Sequence, residues 1–150
     1  MNCIRALGFL VISSAVISGC GDSSLAPRMD LARARGTWER ANIDTYVYVV
    51  RRSCECLPAA IGPVEVEVVN GVVQSRTYAD GTPVNAVHAD GFPDVPGLFA
   101  MIGDALSQRP ARVHIEYDGA YGFPKEVFID FSAAVADEEM VYSTALTNRE

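Results

Sequence analysis

The stretch Val64–Tyr78, VEVEVVNGVVQSRTY, constrains the fold more than any other. Apolar and polar residues alternate with the two-residue period of a half-buried strand on both sides of Asn70-Gly71. Asn-Gly is the strongest short hairpin signal, because both central residues of a type I′ turn need positive φ. With that dipeptide as the loop, Val69 faces Val72, Val68 faces Val73, Glu67 faces Gln74 and Glu65 faces Arg76. Val64, Val66, Val68 and Val73 then share the core face. Glu65 and Arg76 form an opposite-charge pair on the wet face, worth roughly a few tenths of a kcal/mol. A one-residue slip would turn the valines into water, so the register is firm. A hairpin with one apolar face needs a second layer to cover it.

The rest of the chain supplies that layer. Met29–Asn42 reads as a helix, with Leu31, Ala34, Trp38 and Ala41 on one face and Asn42 able to close it in the left-handed conformation. Thr45–Arg52 is rich in β-branched and aromatic residues and reads as a strand, with Tyr46 and Tyr48 on one side, facing Trp38 if that side meets the helix. Residues 79–93, with Gly81, Pro83, Gly91 and Pro93, read as a loop. Asp94 is a good N-cap for a second helix striped by Leu98, Ile102 and Ala105 and stopped by Pro110. Three further strands follow: 112–118 with Val113, Ile115 and Tyr117 on one side, 124–131 with Val127, Ile129 and Phe131 inward, and 140–147. The order is α-β-β-β-α-β-β-β. The expected architecture is α+β, an antiparallel sheet with two amphipathic helices on one face, and each half repeats one helix and three strands.

The N-terminus reads as an address. Arg5 gives a positive start, and Ala6–Ile17 is an apolar run of about a dozen residues, shorter than the roughly 20 that span a bilayer. It ends in Ile17-Ser18-Gly19-Cys20, which resembles the lipobox of bacterial lipoproteins. That resemblance implies a signal peptide over 1–19, cleavage before Cys20, diacylglycerol on its thiol and acyl chains such as palmitate as the anchor. Residues 20–28 are then the lipidated cysteine and a small, polar tether, and 29–150 a single domain. The expected location is the cell envelope, anchored to a membrane and facing the periplasm or exterior.

The net charge of −7 arises from 12 basic and 19 acidic residues. Removal of the signal takes one basic residue and no acid. Such a balance argues against nucleic acid, whose phosphates need clustered Lys and Arg, and against electrostatic docking on anionic lipid.

The order Trp38, YVY at 46–48, CEC at 54–56, VEVEVVNGVV, LFAMIGDAL, VHIEYDGAYGFPKEVFID and ADEE resembles a bacterial lipoprotein family classified as a domain of unknown function, over about residues 30–147. Phe123 stands where that pattern usually has Tyr. The resemblance implies the envelope setting and supplies no activity.

Cys54 and Cys56 remain after export. On an extended strand, residues two apart lie about 6.8 Å apart, at the far limit for a disulfide. A bridge therefore requires the strand to end and bend, and Pro58, Gly62 and Pro63 suit that. The pair is read as a structural disulfide in an oxidising compartment. The alternatives are a thiol-redox pair beside Arg51 and Arg52, or a metal site with His88 and His114, which no spacing brings together.

The residues Asp118, Tyr121, Phe123 and Asp130 gather around the YDGAYGFP turn and form a possible partner-binding surface. The run DFSAAVADEE, with Asp130, Asp137, Glu138 and Glu139, lacks the glycine and alternating ligands of a calcium loop and reads as a solvated acidic loop. Catalytic motifs for nucleophilic, metal or phosphate chemistry are missing from the sequence. The expectation is a non-catalytic binding or structural accessory, without cofactor, held to a membrane by its lipid, with an unknown envelope protein or ligand as partner. The rival readings are a thiol-redox or metal-binding protein using Cys54 and Cys56, and an inhibitor-like or small-ligand-binding module.

Overall fold

The computed structural model describes residues 25–135 and 138–149. The expected signal peptide, Cys20 and Asp137 lie outside them. The elements are α1 (Leu25–Ala41), β1 (Tyr46–Ser53), a 3₁₀ turn (Pro58–Ala60), β2 (Val64–Val69), β3 (Val72–Tyr78), α2 (Ala86–Ala89), α3 (Val95–Ser107), β4 (Arg112–Tyr117), β5 (Pro124–Asp130) and β6 (Met140–Arg149). All six strands form one antiparallel sheet in the order β3-β2-β1-β6-β5-β4. Each half is an α-β-β-β meander, and β1 against β6 joins them at the centre of the sheet.

The helix layer and one sheet face share a single core. Leu31, Ala34 and Trp38 of α1 and Leu98, Phe99, Ile102, Ala105 and Leu106 of α3 pack with Tyr46, Tyr48, Val50, Val64, Val66, Val68, Val127, Ile129 and Tyr142. Val113, Ile115, Tyr117 and Phe131 are half-buried against it. Trp38 meets Tyr46 edge-on at 5.3 Å between centroids, and Phe123 at 6.4 Å, arrangements that aromatic quadrupoles favour.

Asn70 and Gly71 both have positive φ, 51° and 73°, as a type I′ loop requires. Val69 faces Val72 and Val68 faces Val73. Beyond them the expected register fails. A bulge leaves Gln74 unopposed, so Glu67 pairs with Ser75, Glu65 with Thr77 and Val66 with Arg76. The Glu65–Arg76 pair does not form. The extra residue turns Arg76 onto the core face, where its Nε donates to Phe92 O at 2.7 Å.

Helix α1 is already formed at Leu25, the first described residue and four before the expected start, so the 20–28 tether overlaps the helix over Leu25–Arg28. Pro27 lies in the first described turn of α1. Arg28 Nη2 then reaches Leu106 O in the last turn of α3, at 2.9 Å. Asn42, at φ 51°, closes α1 as its sequence suggests. The expected loop over 79–93 contains the one-turn helix α2, capped by Asn85, whose Oδ1 accepts from Val87 N at 3.1 Å.

A polar clamp fixes the entry to α3. Tyr48 Oη donates to Pro93 O. Val95 N donates to Tyr46 Oη at 3.2 Å, and Asp94 Oδ1 accepts from Gly97 N at 2.8 Å. With the Arg76 bond to Phe92 O, four successive residues, 92–95, are tied down. Tyr48→Phe leaves the buried Pro93 carbonyl without its donor, at a cost of about 1–3 kcal/mol. A urea titration of the variant should show that loss, with an unchanged slope.

Candidate functional site

The Cys54 and Cys56 sulfurs stand at disulfide-bond distance, with Cα atoms 5.2 Å apart. That separation is shorter than an extended strand allows, and β1 ends at Ser53, directly before the pair. The corner is further closed by Arg52 N donating to Ile61 O at 2.8 Å. Tyr78 Oη donates to Ala59 O at 2.5 Å and holds the 3₁₀ turn against β3. Cys54 is half-buried and Cys56 exposed. His88 lies on α2 and His114 on the outer face of β4. Among the described residues, no group of three or more His, Cys, Asp or Glu is placed to hold a metal ion.

Two of the four residues expected to form a surface around the YDGAYGFP turn are buried. Phe123 is buried against Trp38, and Asp130 is 5% exposed, with Oδ1 accepting from Ser132 N at 3.0 Å. The Asp118 carboxylate caps its own turn, accepting from Ala120 N at 3.0 Å and Tyr121 N at 2.7 Å. The cause is Gly122. At φ 80° its missing Cβ would collide with Ala34 O and Thr37 Cβ of α1, so the turn packs directly on the helix and draws Phe123 inward. Asp118 and the half-buried Tyr121 stay at the surface, and Phe123 and Asp130 do not.

The helix layer instead presents a cleft of about 430 Å³ between the C-terminal half of α1 and the start of α3. Trp38, Ile43, Pro96 and Phe99 contribute its apolar walls, and Arg35, Glu39 and Asp44 its charged rim. The Arg35 guanidinium lies 5.6 Å from the centroid of Phe99, a cation–π geometry. This volume falls in the range of small-molecule and short-peptide sites, and so does the mixture of apolar wall and few polar groups. Sequence reasoning missed the cleft because its residues come from two helices far apart in the chain. The signal available was the placement of Arg35 and Glu39 beside Trp38 on α1.

A second, smaller groove of about 300 Å³ runs between α1 and β4, lined by Asp30, Arg33, Ile115 and Tyr117 among others. Tyr117 stacks on Phe99, with ring planes 14° apart, and its hydroxyl is buried without a hydrogen-bond partner among the described residues. Burial pushes its pKa up to about 12; the nearby Asp30 carboxylate adds to the rise and Arg35 opposes it. Burial likewise holds Tyr46, Tyr48 and Tyr142 above the ordinary tyrosine range.

One family model matches residues 30–148, described as a family of unknown function (DUF6174). No match was found among curated proteins or among solved structures.

The fold favours the neutral phenols. Their contribution to stability is therefore complete below about pH 10, the unfolded value, and is lost as pH rises toward the folded values, about 12 for Tyr117. The urea midpoint should fall across that window, and part of the tyrosinate absorbance should appear only with unfolding. Replacing Cys54 and Cys56 together by Ser removes a very small closed loop, so chain entropy sets a loss of about 1.6 kcal/mol at most. A thermal melt of the double variant should remain cooperative.

Proposed function

Because the chain belongs to a family of unknown function, we propose its role from its own residues: a lipid-anchored protein of the bacterial cell envelope that binds another envelope component or a small ligand and carries out no chemistry. The observation that carries this reading is the Cys54–Cys56 pair at disulfide-bond distance. A bridge at a surface corner is favoured in an oxidising compartment and rare in a reducing one, which agrees with export through the Ile17-Ser18-Gly19-Cys20 segment. Leu25 of α1 lies five residues after Cys20. An extended chain of that length reaches at most about 18 Å, so the acyl chains of Cys20 would hold the domain close to the bilayer.

In this reading the α1–α3 cleft is the binding site. Its apolar walls accept an apolar segment, and the exposed Glu39 and Asp44 carboxylates on its rim favour a basic group beside it. This gives the small-ligand-binding alternative a location without an inhibitor role. The thiol-redox alternative draws on the exposure of Cys56 and the nearby Arg51.

Radiolabelled palmitate should enter the wild-type chain and be absent from Cys20→Ala, which should also leave the membrane fraction. Labelling and fractionation unchanged by that substitution would contradict the anchor. Thiol counting on the exported protein separates the two cysteine readings: two blocked thiols at 54 and 56 support the staple, and a pair that cycles under mild reductant supports redox. A photo-crosslinker at Glu39 should capture a partner that the same group at Lys125 does not. Equal capture at both positions would count against the cleft.

A further inference from the structure

The two edges of the sheet are finished differently. Along β3, residues 82–84 run beside the outer edge: Tyr78 N donates to Thr82 O at 2.9 Å, Val84 N donates to Arg76 O at 2.8 Å, and Thr77 bridges Pro83. The Arg76–Tyr78 half of that edge is thereby dressed by the chain itself. Strand β4 is the other edge. Its inner side pairs with β5 throughout Arg112–Tyr117. Among the described residues, no backbone or side-chain hydrogen bond is made to the main chain of its outer side. Alternate residues of this six-residue edge turn their amide and carbonyl groups outward unmatched, a template for another strand.

The side chains of β4 say which strand. On the open face of the sheet they read Arg112, His114, Glu116, all exposed; on the helix side they read Val113, Ile115, Tyr117, all half-buried. This pattern is complementary to itself when reversed. An antiparallel copy centred on His114 sets Arg112 opposite the Glu116 of the second copy on the open face, and Val113 opposite its Ile115 on the helix side. Opposite charges and paired β-branched residues are the favoured cross-strand neighbours. A two-fold axis generates both contacts twice, the isologous pattern of most homodimers. The partial ion pairs that these groups make within one copy are loose, Arg112 to Asp130 at 3.8 Å and His114 to Glu116 at 3.5 Å, and leave both ends available.

We propose that β4 is a homodimer edge: two copies of this chain pair antiparallel through Arg112–Glu116, with His114 facing His114, and extend the six-stranded sheet into one of twelve. The pairing covers Val113 and Ile115, which line a separate groove of about 200 Å³ beside α1 together with Pro27 and Asp30. It lies apart from the α1–α3 cleft and leaves that cleft open in each copy. It does not depend on lipid attachment, although two copies confined to one membrane would meet at a raised effective concentration.

Cysteine placement tests the register in the full chain, purified in detergent and treated with a mild oxidant, with the wild-type chain as background. Residues directly opposite have Cβ atoms about 4.5–5.5 Å apart, so His114→Cys should give a disulfide-linked dimer as the main product. Arg112→Cys and Glu116→Cys should each give little dimer alone and a mixed dimer when co-expressed. No dimer from His114→Cys, or as much from exposed Lys125→Cys, would overturn the proposal. So would capture by His114→Cys of a different protein in place of itself, which would mark the edge as a site for a foreign strand. Charge exchange gives a second readout that needs no disulfide. In sedimentation, Arg112→Glu should dissociate the dimer at least tenfold more readily, and adding Glu116→Arg to it should restore wild-type association. A double variant as weak as the single one would contradict this register.

Discussion

Two tyrosine hydroxyls and one guanidinium, reaching up from the sheet, hold the helix layer in place. Tyr46, Tyr48 and Arg76 meet the backbone of Phe92, Pro93 and Val95. All three come from the core side of the sheet, where an unpaired polar atom would be costly. Each is satisfied by the segment that leads into α3, so burying the sheet face and seating the helix are one event. The apolar surface of Trp38, Phe99 and Ile102 supplies most of the driving force. The clamp determines where along the sheet that surface is buried. It also places Pro96 and Phe99, and with them one wall of the α1–α3 cleft.

What the residue pattern made legible follows from local rules. The period-two run on either side of Asn70-Gly71 specified a hairpin and its core valines, because turn chemistry and alternation agree there. Asp94 and Asn42 announced the ends of their helices through side-chain capping and tolerance of positive φ. The same rules misled wherever a distant contact decided. Gln74 looks like an ordinary wet-face strand residue, yet the sheet bulges at it, because Arg76 finds a carbonyl to bond across the core. Pro27 looks like part of a tether, yet it lies within α1, where Arg28 bonds the far end of α3.

The candidate site was less legible than the fold, for a physical reason. Asp118, Tyr121, Phe123 and Asp130 are close in sequence, and closeness suggested a shared surface. Gly122 brings the turn onto α1 so tightly that Phe123 becomes core, and the Asp118 and Asp130 carboxylates satisfy nearby amides. The cleft that does open joins Arg35, Glu39 and Asp44 to Pro96 and Phe99 across more than fifty residues of chain. The cysteine corner fared better, because its geometry is local: a bridge across one residue requires a strand to stop, and β1 stops at Ser53.

Sheet and helices should therefore unfold as one unit, with the clamp as the joint between them. Native-state hydrogen exchange of the Val95 amide, which donates to Tyr46 Oη, tests that joint directly, because the first amides of a helix have no intrahelical acceptor and ordinarily exchange quickly. The account predicts that Val95 exchanges only through global unfolding, with the same opening free energy as the central amides of β1. Exchange of Val95 by local fraying, several kcal/mol easier than at Tyr48 or Val50, would contradict it.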